Sequence, residues 1–432
     1  MKGEYRMKTK ISSFLKERES RIKPAEANKM GLKRLNKIDF SGVMHLIHKP
    51  TNTDMILIKS GDLVISGINV EKGAVAVYQG KEDILATIHY SSYEFDETKI
   101  DIEYFKTFLK SKAFKEVINS QIRGGIKTEL KAKSFLPLEI NLPELKDQIK
   151  IRNRINSSSG IISELSDINN SNESYISKLR QAILQEAVQG KLVPQDPNDE
   201  PASELLKKIH KEKENLIKEG KIKKQKPLPP ISDDEIPYEL PRGWEWVRLG
   251  RVILSDIGGG TPSKNKSDYW NGSIPWASVK DLNENIFLTK TQDKISELGL
   301  KNSSSNLIPK DNLIICTRMG LGKILFNKID VAINQDLRAI FLPRNIEKFY
   351  FYYFYKTLSF IHSGTTVSGI RREKLLDTLF PLPPLSEQKH IVEKVDRLMA
   401  YCDELEKQVR ENSLNSQNLM NRVLKEAFVN GE

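Results

Sequence analysis

Two stretches of the chain place an apolar residue at alternating steps of four and three. In the later one Ile391, Val395, Leu398, Cys402, Leu405 and Val409 keep this rhythm, which resumes at Leu419 and Val423. In the earlier one Ile151, Ile155, Ile162, Leu165, Ile176, Leu179 and Ile183 hold the same register, interrupted by Ser158, Asn169 and Asn172. Such spacing keeps one stripe of a helix apolar and predicts a seam against a second helix. Ser386 stands where a cap for the later helix belongs, Pro383 and Pro384 lie just outside it, and no proline interrupts either stretch afterwards. At 1.5 Å per residue, a helix of about 43 residues extends about 65 Å, longer than one globular domain requires. The two helices are therefore expected to pair antiparallel about a pseudo-two-fold axis. Asn169, Asn172, Asn412 and Ser416 would then form a polar layer near its middle, unless they face solvent.

The helices belong to a larger repeat. At an offset of 240 positions LPELKDQIKI (Leu142–Ile151) falls on LPPLSEQKHI (Leu382–Ile391) with five identities in ten, and LRQAILQEAVQG (Leu179–Gly190) falls on LMNRVLKEAFVN (Leu419–Asn430). Equal spacing between matched segments suggests a duplicated ruler. Upstream, Leu63, Val64 and Ile65 match Leu313, Ile314 and Ile315, each run followed by a Gly-bearing turn. GGIKTELKAKSFLPL (Gly124–Leu138) likewise parallels SGIRREKLLDTLFPL (Ser368–Leu382). Short Ile- and Val-rich runs mixed with helical stretches, Ile102–Asn119 and Ile346–His362, give each module an α+β character. The plan is module, helix, module, helix. Between the copies, Lys191–Arg242 combines a Pro-rich start, a charged helix and a Pro-rich end, the composition of a connector. Its Lys207–Lys226 segment holds nine Lys against three Glu, as a solvated helix or one lying near phosphate would.

The length of 432 residues suits two or three folding units. A net charge of +11 favours an acidic polymer as partner, although many basic proteins never meet one. Cys316 and Cys402 are too few and too far apart for a disulfide framework or a thiolate zinc site, which suits a reducing, cytoplasmic location. No apolar leader segment and no run of 18 or more uncharged apolar residues is present, so no membrane partner is expected, and the aromatic run Phe349–Tyr355 is expected to be a buried helix.

Four segments carry a resemblance: ELPRGWEWVRLG (Glu239–Gly250), GGGTPSKNKSDYWNGSIPWASVKDL (Gly258–Leu282), FPLPPLSEQKHIVEKVDRLM (Phe380–Met399) and LRQAILQEAVQGKLVPQDPNDEPASELL (Leu179–Leu206). Together they resemble the specificity subunits of type I restriction-modification systems across essentially the whole chain. The resemblance implies an α+β fold of two mixed α/β target-recognition domains, 1–143 and 239–384, separated by two long helices, 144–190 and 385–430, that form an antiparallel coiled coil in a pseudo-two-fold internal repeat. The segment 191–238 is the connector. It also implies that each domain reads one half of a split double-stranded DNA site, while the helices dock a pair of modification (methyltransferase) subunits and the restriction (ATP-dependent translocase/endonuclease) subunits. Because the two modules differ strongly in sequence, the half-sites should differ as well.

Groove reading needs Arg, Lys, Asn, Gln or Ser side chains at loop and strand ends, backed by cationic contacts to phosphate. In the second module Thr261, Ser263, Lys264, Asn265 and Lys266 sit on a Gly-rich loop that suits close backbone approach to phosphate and equally suits a surface turn. Arg318 directly follows an apolar strand and is the leading base-contact candidate, while Asn334 and Gln335 follow Val331–Ile333. Arg371, Arg372 and Lys374 have counterparts in Arg123, Lys127 and Lys131, and a feature that recurs where specificity should differ suits phosphate clamping. The first module offers Lys72 and the run His89, Ser91, Ser92 and Tyr93.

Catalytic machinery is not visible in the sequence: no phosphate-binding GxxxxGK[ST] loop, no HExxH, no Cys/His cluster and no Asn-Pro-Pro-aromatic segment. S-adenosylmethionine, ATP and Mg²⁺ are accordingly expected on partner subunits, with no metal and no catalysis in this chain. The rival readings are a non-reading assembly scaffold or decoy, and a divergent DNA-modifying enzyme.

Overall fold

The computed structural model describes residues 7–122, 130–283, 285–358 and 369–428. The chain divides into two units, Met1–Ser171 with Val409–Glu432, and Asn172–Gln408. No helix among the described residues is long and apolar enough to cross a membrane.

In the first unit β1 (Met7–Lys10), β2 (Leu15–Glu17) and the short α1 (Pro24–Met30) precede β3 (Arg34–Ile38), β4 (Met44–Ile47), β5 (Met55–Ile58), β6 (Leu63–Ser66), β7 (Val75–Val77), β8 (Ile84–Thr87) and β9 (Tyr90–Phe95). Helices α2 (Ile102–Leu109), α3 (Lys112–Gln121) and α4 (Ala132–Phe135) follow, and β10 (Glu139–Leu142) returns to pair with β1. The strands form two sheets, β2-β9-β6-β7 and β4-β3-β8-β5, with β3 parallel to β8. Every residue of β6 is buried, because apolar side chains cover both of its faces. The single helix expected over Ile102–Asn119 is two: the Ser111 hydroxyl accepts a bond from Phe114 N at 3.3 Å and starts a second helix.

The long α5 (Leu145–Val188) leads out of this unit and into the next, where α6 (Ala202–Lys218) and β11 (Glu245–Arg248) follow. Then come α7 (Leu249–Val252), β12 (Ser255–Gly258), β13 (Ile274–Ala277), β14 (Phe287–Leu288), β15 (Asp293–Ile295), α8 (Glu297–Lys301), β16 (Asn306–Ile308), β17 (Leu313–Cys316), β18 (Ile324–Asn327), β19 (Val331–Ile333) and β20 (Leu337–Phe341). The aromatic helix α9 (Lys348–Thr357), α10 (Arg372–Asp377), β21 (Leu379–Leu382) and the long α11 (Leu385–Phe428) complete the chain's elements. The sheets β12-β20-β17-β18-β14 and β15-β13-β19-β16 repeat the strand order of the first module, with β14 added at one edge and β13 parallel to β19 as β3 is to β8. As expected, Tyr350–Tyr355 of α9 are all buried.

Each long helix is fastened to its own module by the same clamp. The Gln148 side chain accepts from Asp101 N at 2.8 Å and donates to Pro143 O at 2.9 Å; Gln388, its repeat partner, accepts from Glu347 N at 2.8 Å and donates to Pro383 O at 3.0 Å. Both glutamines are buried, and Asp101 and Glu347 are the N-caps of α2 and α9. The helices run antiparallel. In the first unit Arg154 meets Glu426 at 3.1 Å, and in the second Arg180 meets Asp403 at 2.5 Å and Glu406 at 3.2 Å. At its far end, Phe428 of α11 lies on Tyr104 and Phe108 of α2.

Three expectations need correction. Leu165, Leu179, Leu405 and Leu419 are exposed, so the buried seam is the seven-residue row Ile155, Asn169, Ile176, Ile183 on α5 and Val395, Cys402, Val409 on α11. Of the four polar residues expected at mid-length, Asn169 is buried, whereas Asn412 is exposed and Ser416 donates to the Asn412 carbonyl of its own helix at 2.9 Å. The connector helix α6 is not a free solvated rod: Ala202, Leu205 and Ile209 are buried, and the Lys213 ammonium donates to Gly250 O at 2.8 Å. Burial pulls the Lys213 pKa down to about 8.

Candidate nucleic-acid interface

In both modules a strand end, a turn and the approach to a short helix are tied together by the same two backbone bonds. In the second module Thr317 N, just past β17, donates to Asp336 O at 2.8 Å, and Ile370 N donates to Thr317 O at 2.9 Å. In the first, Gly67 N, just past β6, donates to His89 O at 3.1 Å, and Leu130 N donates to Gly67 O at 2.9 Å. Gly369 is required at this junction, since a Cβ there would stand 2.5 Å from Thr317 O and 2.7 Å from Arg318 Cγ. The junction projects Arg318 into solvent, with no carboxylate partner among the described residues. Met319 follows in the left-handed region at φ 27° and is 63% exposed, a strained, outward conformation of the kind found at functional loops.

Beside this loop the second module has a cleft of about 980 Å³, walled by Trp270 and Trp276 and bordered by Lys264, Lys280, Lys323, Gln335 and Met319. The three lysines are exposed, and no ion pair engages them among the described residues. Thr261 donates its hydroxyl to the Gln335 side-chain carbonyl. Trp270 donates to Ser263 O at 3.1 Å and pins the loop from inside, leaving Ser263 and Asn265 exposed. Lys266 lies over the Tyr269 ring at 5.1 Å. Asp293 and Asp336 also line it, so the concavity offers three cations against two carboxylates, with amide groups and aromatic walls, a chemistry that can hold phosphate and read base edges.

The glycines of that loop serve packing instead of close approach to phosphate. A Cβ on Gly259 would meet Ile333 O at 2.0 Å, and one on Gly260 would meet Ser304 Oγ at 2.1 Å. Four further candidates are withdrawn. Ser92 is buried and donates to Asp62 at 2.7 Å; Tyr93 is buried against Phe135, at 5.3 Å between ring centres. Both faces of β9 are covered, so no residue of its middle reaches a groove. Asn334 is buried, and its side chain closes the turn on Asp336 at 3.0 Å. Arg372 is bound to Asp256 at 2.7 Å, and Asp256, fully buried, also holds Arg338. Those bonds raise the Arg372 pKa and commit the guanidinium to the fold.

Arg371 and Lys131 occupy the same place, the N-caps of α10 and α4, and both are exposed, as is Lys374. In the first module Lys72 lies 5.8 Å from the Phe40 ring, His89 is exposed and Ser91 half-buried. Arg123 and Lys127 lie outside the described residues. Sequence reasoning missed Lys280, Lys323 and Met319, which the fold gathers at the cleft from three separate segments, and Ile68 and Ile88 at the first module's junction. Glycines after an apolar strand marked the Met319 loop, but nothing local marked the others.

Residues 241–415, which hold this cleft and junction, match the family model described as the type I restriction modification DNA specificity domain. That stretch of the chain is therefore similar to the specificity domain of type I restriction-modification systems. Among its relatives, the EcoAI specificity subunit of Escherichia coli is 40% identical over 263 residues, which are 56% of this chain and 43% of that subunit. The EcoEI specificity subunit of Escherichia coli is 36% identical over 272 residues, 58% of this chain and 44% of that subunit. The chain thus matches less than half the length of those relatives. Among solved structures, the HsdS subunit from Thermoanaerobacter tengcongensis superposes with a TM-score of 0.60 at 17% identity, covering 99% of this chain and 97% of that one. A chain solved for complex assembly and conformational transition of the type I R-M system gives 0.63 at 18% identity, covering 98% and 97%. At such identities the likeness establishes the fold.

Proposed function

We propose that this chain is the sequence-specificity subunit of a type I restriction-modification complex: it reads a bipartite, asymmetric duplex DNA site and docks the modification and restriction subunits. The observation that carries this reading is the repeated junction, one backbone frame in both modules presenting different exposed side chains. A constant frame with variable tips is what two readers of unlike half-sites need. In the second module Arg318 and Gln335 are the base-reading candidates, with Lys264, Lys280, Lys323 and Arg371 set to hold phosphate.

The chain does no chemistry of its own in this reading. S-adenosylmethionine, ATP and Mg²⁺ act on partner subunits, a pair of methyltransferase subunits and the ATP-dependent endonuclease, in the cytoplasm where the chromosome lies. Docking is supported by the exposed apolar row Ile161, Leu165 and Ile168 on α5, spaced four and three apart, which leaves a second stripe beside the buried seam. Co-expression with the modification subunit followed by genome-wide mapping of methylated bases tests the proposal. A motif of two unlike blocks separated by a fixed run of unread positions is expected, and a continuous palindrome or no methylation would overturn it.

A further inference from the structure

The strand pairing that builds the junction continues two steps past the sheet. In the first module Ser66 pairs with Tyr90, Gly67 bonds to His89 at 3.1 Å, and the next step brings the positions of Ile68 and Ile88 opposite one another. In the second, Cys316 pairs with Leu337, Thr317 bonds to Asp336 at 2.8 Å, and the next step brings the positions of Arg318 and Gln335 opposite one another. One pair of positions in the repeated frame thus holds two isoleucines in one module, and an arginine and a glutamine in the other. The isoleucines are not core residues: Ile68 is 55% and Ile88 45% exposed. Leaving that much aliphatic surface in water forgoes transfer free energy that a polar residue at a turn would not. Lys72 and Lys131, exposed on the elements that flank the junction, give it a cationic border.

We infer that Ile68 and Ile88 are the base-reading pair of the first module, and that they read the C5 methyl group of thymine. The inference rests on the DNA-reading function proposed above. An isoleucine side chain has no donor or acceptor, so it cannot satisfy the amino and carbonyl edges that mark guanine and cytosine in the major groove. The thymine methyl is the one apolar group a base pair presents there. Covering it removes apolar surface from water, while setting isoleucine over a bare polar edge strands that edge without a partner. The Arg318–Gln335 pair has the opposite preference, for the acceptors of guanine and the donor and acceptor of adenine. The two half-sites should therefore differ in kind: the first module's must hold thymine at a contacted position.

The test uses the full chain assembled with its modification subunit and a site obtained by enrichment from randomised duplexes. Thymines in each half-site are then replaced by deoxyuridine, which removes the methyl group and nothing else. Binding should weaken about fourfold for each contacted methyl, about 15-fold for two. The double variant Ile68→Ala, Ile88→Ala, whose melting temperature should be unchanged because both sites are exposed, should no longer distinguish thymine from uracil in that half. A double variant that still distinguishes them, specific binding indifferent to uracil in both halves, or a half-site devoid of A·T pairs would overturn the isoleucine assignment and leave the DNA-reading function standing. Loss of subunit assembly in the double variant with uracil discrimination intact would overturn it likewise, marking a protein contact. Failure to enrich any sequence would overturn both.

Discussion

Arg318 and Arg372 lie on segments joined through the Ile370–Thr317 bond, yet their surroundings assign them different tasks. Arg318 is exposed and makes no ion pair among the described residues, whereas Arg372 shares the buried Asp256 carboxylate with Arg338. Arg318→Ala should relax preference in one half-site only, by about 1–3 kcal/mol if the contact is bidentate, as read from binding to single-base variants of the site. Uniform weakening on every duplex would make it a phosphate contact. Arg372→Ala should instead lower the thermal stability of the second module by about 1 kcal/mol and leave base preference unchanged, since Asp256 keeps its other arginine. Gln388 is a different kind of residue again. Its removal strands Glu347 N and Pro383 O in the interior, so Gln388→Ala should cost about 1–3 kcal/mol in denaturant unfolding, and Gln148→Ala should do the same in the first module.

At the scale of elements, α5 and α11 keep matched lengths because each begins on one module's clamp and each contributes to both units. Inserting one heptad into both preserves the seam and lengthens each by about 10 Å. The unread gap in the methylation motif should then grow by about three base pairs at 3.4 Å per step, with both half-sequences retained. A changed half-sequence at the old spacing would sink the ruler idea. The connector makes a prediction about pH. Unfolded, Lys213 titrates near its ordinary 10.5; folded, burial brings it down to about 8, so the folded chain releases the proton first. The cost of the buried ammonium is in full force below pH 8 and fades as pH rises toward 10.5. The melting temperature of the unmodified chain should accordingly climb relative to that of Lys213→Met between pH 8 and 10, and parallel curves would count against a buried ammonium.

For the whole molecule, a net charge of +11 makes salt the first variable of any binding measurement. Affinity should fall linearly with log salt, and removing a single cation proposed to hold phosphate, Lys264 or Arg371, should lower the slope by about one without altering sequence preference. The heptad rhythm, the offset of 240 residues and the paired Gln148 and Gln388 were legible in the sequence, because helix period and repeat spacing are properties of the chain itself. So was the strand-then-loop placement of Arg318. Which polar residues face water was not, because burial on a central strand depends on partners far along the chain. Ser92 and Tyr93 look like a polar surface run until β2, β6 and α4 close over them, and Arg372 looks free until Asp256, more than a hundred residues earlier, is folded beneath it. Conversely Ile68 and Ile88 read as core residues by hydrophobicity alone. Only the two-step overrun of the β6–β9 ladder places them outside, where the second module holds Arg318 and Gln335.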